Sequence, residues 1–147
     1  MIKRMLKLQT IIALAFFLLI AFSLISSAQA QVSVVVDKSS TVKASEKEIK
    51  DIFSGTKLRW EDGSAIKVVD QPDAKITADF YKKLLNQPVM KVRLQWTKLV
   101  LSGQASAPVK CTSDEAVLKI LSEDKNAIGF IASSSVNDKV KVLLKLE

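Results

Sequence analysis

The chain contains no histidine and a single cysteine, Cys111, and its four glycines are scattered. The first absence removes every Ser-His or Cys-His pair and the commonest nitrogen ligand of zinc. One cysteine forbids an intrachain disulfide, and Cys111 without a histidine base reads as a half-buried small residue. Scattered glycines exclude a glycine-rich phosphate loop. The paired acids Glu61/Asp62 and Asp70/Asp73 lie in turn-like sequence, where aspartate serves the backbone. These absences predict that the protein is not an enzyme, with no catalytic residue, metal site or cofactor.

What is present begins with a targeting segment. Lys3, Arg4 and Lys7 stand before an apolar run from Ile11 to Ile25, and Ala28-Gln29-Ala30 fits a small-x-small cleavage site. A spanning helix wants roughly 20 apolar residues, more than this run supplies. Residues 1–30 therefore read as a signal peptide cleaved after Ala30, and 31–147 as one exported domain in a periplasmic location. Without Lys3, Arg4 and Lys7 the net charge falls from +7 to +4. A balance that mild calls for no nucleic-acid partner.

Along the rest of the chain, strand and helix signals alternate. Val32 to Val36 reads as a strand buried on both faces. Ser45-Glu46-Lys47-Glu48 is a capping box opening a helix with Ile49, Ile52 and Phe53 on one face, ended by Gly55. Asp62-Gly63 marks a turn before a strand at Ile66 to Val69. The next helix buries Phe80, Tyr81, Leu84 and Leu85 and stops at Asn86-Gln87-Pro88. Another follows, with Val92, Trp96, Leu99 and Val100 inward and Lys91, Arg93 and Lys98 on a solvated face. Ser102 to Pro108 is a loose connection. Thr112-Ser113-Asp114-Glu115 reads as a second capping box, opening a helix with Ala116, Val117, Ile120 and Leu121 inward. Ala127 to Ala132 reads as a buried strand and Val140 to Leu146 as a last strand whose lysines face water. Alternation of this kind predicts an α/β domain, a mixed sheet flanked by helices.

Two stretches carry a family resemblance. Ile52-Phe53-Ser54-Gly55-Thr56-Lys57-Leu58-Arg59-Trp60-Glu61-Asp62-Gly63-Ser64-Ala65-Ile66 resembles the helix, glycine, tryptophan and aspartate turn of phosphate-binding proteins of ABC uptake systems. Asp124-Lys125-Asn126-Ala127-Ile128-Gly129-Phe130-Ile131 resembles the start of a strand in the same family. The resemblance implies a type II periplasmic-binding-protein-like fold. It covers only the later portion of a two-lobed receptor, so it implies a single lobe.

The family's phosphate loop follows the strand matching Ile66–Val69 and carries an arginine and a Ser-Gly-Thr. Here Gln71 stands near the arginine's place, Lys75 and Ile76 replace Ser-Gly, and Thr77 is kept. Losing a guanidinium removes a bidentate anion fork, which a mobile lysine replaces poorly. Asp70 and Asp73 add negative charge beside that loop.

The resemblance makes Gln71, Lys75 and Thr77 the candidate oxyanion ligands, and Ser39, Ser40 and Thr41 offer further hydroxyls. Helix starts at Ser45, Thr77 and Thr112/Ser113 also carry hydroxyls near free amides, although capping explains each. Ser54-Gly55-Thr56 lies at a helix carboxyl end, the wrong polarity for an anion. Two functions follow as expectations. One is an exported solute-binding-like domain for phosphate or another small oxyanion, partnered by a membrane transporter or paired as a homodimer. The other is an accessory protein-interaction module that kept the lobe and lost the anion.

Overall fold

The computed structural model describes residues 31–72 and 74–147. The leader read at Met1–Ala30 lies outside the described residues. Five strands are β1 (Val32–Asp37), β2 (Lys67–Asp70), β3 (Val109–Lys110), β4 (Ala127–Ala132) and β5 (Val140–Leu146). Among the described residues the α-helices are α1 (Glu46–Phe53), α2 (Lys75–Leu85), α3 (Val89–Leu101) and α4 (Asp114–Glu123). The strands form one mixed sheet in the order β3-β2-β4-β1-β5. β1 runs antiparallel to both β4 and β5, whereas β2 runs parallel to β3 and β4.

The period-2 alternation of a strand divides the core into two layers. Val32, Val34 and Val36 of β1, Val68 of β2 and Ile128 and Phe130 of β4 face α1, α2 and α3. Val35, Val69 and Ile131 face the other way, onto Val117 and Leu121 of α4. β1 is thus apolar on both sides because both sides are covered. An aromatic cluster fixes the larger layer: Phe80 stacks on Phe130 with ring centroids 3.9 Å apart, and Phe53 meets Phe80 edge-on at 4.9 Å.

Local chemistry sets the helix ends. Ser45 and Glu48 form the expected reciprocal cap on α1. At its other end Gly55 (φ +81°) completes a Schellman turn, with Gly55 N–H donating to Ile52 O and Thr56 N–H to Asp51 O. α4 departs from expectation. Its N-cap is Ser113, which accepts from Ala116 N–H, so the third helical residue is an alanine and no capping box forms.

The two stretches that carry the family resemblance touch. Trp60 Nε1–H donates to Asn126 O at 3.1 Å, Lys67 N–H donates to the same carbonyl, and the Ser64 hydroxyl donates to Asn126 Oδ1 at 3.3 Å. Gly129 has its own reason. A Cβ there would sit 2.8 Å from Val117 Cγ1 and 3.3 Å from Val69 Cβ, so α4 packs directly on the bare backbone.

Three details differ from the sequence expectation. β2 ends one residue later, at Asp70. β3 pairs Val109 and Lys110, a stretch that carries no strand signal of its own, with Val69 and Asp70. Lys141 of β5 does not face water: it is half-buried and its ammonium donates to Ser40 O and Val42 O, both at 2.7 Å. Two main-chain carbonyls of the β1–α1 connection make that inward position a polar one.

Candidate functional site

In an open sheet with parallel strands, ligands gather at the carboxyl ends of those strands. Here that edge holds the ends of β2 and β4, the start of α2 and the start of α4. Gln71 follows β2 directly and is 1% exposed. Its Nε2 donates to Asp114 Oδ1 at 2.8 Å and to Phe130 O at 2.9 Å, which uses both amide hydrogens. Asp114 Oδ2 accepts from Ala132 N–H at 3.1 Å. One carboxylate therefore ties β2, β4 and α4 together at this edge of the sheet.

Thr77 is buried, and its hydroxyl donates to Gln71 O. Ile76 belongs to the larger core layer. Lys75, by contrast, is exposed at the first position of α2. Among the described residues no side chain caps α2, and its first turn holds no acidic residue. The first amides of a helix have no intrahelical acceptor and sit at the positive end of the dipole.

Ser39, Ser40 and Thr41 lie elsewhere. β1 is antiparallel to β4 and β4 is parallel to β2, so the end of β1 is level with the start of β2. The two groups of candidate residues are separated by the sheet's length, roughly 10 Å or more of strand. A single small ion cannot bridge them. Ser39 N–H and its hydroxyl both serve Asp37, and buried Ser40 accepts from Val42 N–H at 3.3 Å. Thr41 is exposed.

A cleft of about 530 Å³ opens beside β2, between α3 and β3. Asp70 and Tyr81 form its polar back wall, with Tyr81 O–H donating to Asp70 Oδ1 at 3.1 Å. Burial raises the Asp70 carboxyl above its ordinary value, against the opposing pull of Tyr81, Arg93 and Lys110. Burial and the neighbouring Asp70 push the Tyr81 phenol well up. Arg93 is half-buried and donates to Pro72 O at 2.6 Å, so it does not belong to the solvated face expected for it. Cys111 is buried, and burial together with Asp70 raises its thiol. It is more fully buried than the half-buried small residue expected.

Neither a protein-family profile nor a curated protein matches the sequence. Solved structures do. A phosphate ABC transporter substrate-binding protein from Clostridium perfringens, with phosphate bound, aligns at TM-score 0.60 and 19% identity. An ABC-type phosphate transport receptor from Vibrio cholerae aligns at 0.59 and 18%. PstS from Borrelia burgdorferi aligns at 0.58 and 14%. Each alignment covers 78% of this chain and 45–47% of the other.

The fold is similar to that of one part of these receptors.

The chain thus spans under half the length of these similar structures. Among the described residues no cluster of acidic or cysteine side chains gathers to hold a metal, and no helix is long and apolar enough to cross a membrane.

Sequence reading missed Asp114, Arg93 and Lys110 as members of this region. Nothing in local sequence couples Asp114 to Gln71, 43 residues away. Arg93 did carry a signal. It lies three residues before Trp96 and seven before Val100, in phase with the apolar stripe of α3.

Proposed function

We propose that the protein is an exported solute-binding-type lobe that takes a small oxyanion, phosphate foremost, at the amino end of α2. The observation that carries this reading is the bare start of that helix. Among the described residues no side chain caps it, its first turn holds no acidic residue, Thr77 N–H closes on Ala74 O, and Lys75 is exposed at its first position. The similarity in fold to a substrate-binding protein with phosphate bound supports it. A lone lobe encloses its ligand less than two lobes do, so binding is weak unless a second surface closes over it. A transporter component or a second copy of the chain would supply that surface. The role is binding and not catalysis.

A specific observation favours a second reading, an accessory module that kept the lobe and lost the ion. Gln71 and Thr77 spend their polar atoms inside the protein, and Asp114 adds a carboxylate to the same edge.

Thermal unfolding with phosphate, sulfate and a bulky anion at matched ionic strength separates the two. A ligand at a hundred times its dissociation constant stabilises by about 2.7 kcal/mol. The first reading expects a phosphate-selective shift that shrinks in Lys75→Glu. Equal responses to all three anions would support the second.

A further inference from the structure

The cleft between α3 and β3 is large enough for a ligand of its own, since small-molecule sites run from roughly 300 to 1,000 Å³. Its walls are chemically divided. Lys110 pairs with Asp70 across the β2–β3 ladder and Arg93 donates to Pro72 O, two residues beyond Asp70, so two cations line the β2 end. Trp96, Val100, Leu101 and Pro108 supply apolar wall. Leu101 lies eight residues beyond Arg93, roughly 12 Å along the helix. It is 83% exposed while lining the cleft, so an apolar group laid there would take it out of water. Among the described residues that line the cleft the one acid is Asp70, which accepts from the Tyr81 hydroxyl. Arg93 is held in place through Pro72 O, which reduces the cost of ordering its guanidinium.

We infer that this cleft binds a small amphipathic carboxylate. The carboxylate sits between Arg93 and Lys110, and the apolar tail lies along Trp96, Val100 and Leu101. The residues at the start of α2 do not line the cleft, so the site is separate from the one proposed for an oxyanion.

Calorimetric titration of the purified protein with octanoate, octylammonium and inorganic phosphate tests the inference. Octanoate should bind saturably and octylammonium should not. Lys110→Met, at an exposed position, should weaken octanoate about tenfold, and Arg93→Met by at least as much. Leu101→Ser should weaken it through the tail alone, and Lys75→Glu should leave it unchanged. Failure of octanoate to bind, equal binding of octylammonium, or full affinity in Lys110→Met would each overturn the inference. So would competition by phosphate at matched ionic strength, because both ligands would then share one site. Failure of phosphate to bind at all would leave the octanoate result standing, and would count against the oxyanion reading alone.

Discussion

Gln71 and Asp114 face each other across the carboxyl edge of the sheet, joined by a hydrogen bond of 2.8 Å. The sequence positions that the family resemblance assigns to an anion are here partly converted into an internal brace. Asp114 also holds the Ala132 amide, so the brace spans three elements.

Removing one side of that brace leaves buried polar atoms without partners. Gln71→Ala strands the Phe130 carbonyl and half of the Asp114 carboxylate, and should cost about 2–4 kcal/mol in urea unfolding. Gln71→Glu should cost more at neutral pH, because it sets a second carboxylate against Asp114. That extra cost should fade on acidification. Equal losses for the two variants at neutral pH would show that the position is governed by packing volume and not by the hydrogen bonds.

Asp70 lends the protein a pH dependence of known sign. Its folded-state pKa lies above the ordinary value of 3.8. The stability tied to the protonated form is therefore fully present below 3.8 and lost as pH rises through the folded value. Asp70→Asn keeps an acceptor for Tyr81 and removes the charge. It should raise stability at neutral pH and flatten the profile across the mildly acidic range, as read from unfolding midpoints over a pH series.

Glu48 works in the opposite direction. The Lys57 ammonium, then the Ser45 amide and hydroxyl, hold its carboxyl down at about 2. Its contribution is present above the ordinary 4.5 and disappears as pH falls through about 2. A carbon-detected NMR titration should place the Glu48 midpoint near the lower value, and Lys57→Met should move it upward. Because this pair is partly solvent-exposed, the same substitution should change global stability little.

Gly129 offers a test of close packing. A methyl group there meets Val117 Cγ1 at 2.8 Å, and overpacking of this kind costs about 1–3 kcal/mol. Gly129→Ala should destabilise by that amount, and adding Val117→Ala should recover part of the loss. A double-mutant cycle with no coupling would mean that β4 and α4 separate freely.

Much of the architecture was legible because local chemistry and burial agree. β4 and β5 were read with the bounds they have, since turn signals flank an apolar run in each case. Gly55 and the Ser45–Glu48 cap were readable for the same reason, each requiring only neighbours in sequence. β3 was not legible. Its two residues become a strand only through Val69 and Asp70, and carry too short a pattern to show periodicity. Lys141 looked solvent-facing by alternation, yet the acceptors that draw it inward come from a loop about a hundred residues earlier. The candidate site failed in the same manner. Gln71 and Thr77 could be placed on their loop, but what their polar atoms spend themselves on is decided by Asp114 and Phe130, far along the chain.

The position of β1 has a consequence for how the molecule is made. This strand is synthesised before the rest of the sheet, yet its two neighbours are β4 and β5, and Val32 pairs with both Ala132 and Leu146. No local partner can satisfy it. Closing contacts across about a hundred residues slows folding, because loop entropy is lost before the contacts repay it. The centre of the sheet therefore closes only when β4 and β5 are both available, and until then β1 is a strand edge with no partner in the sheet.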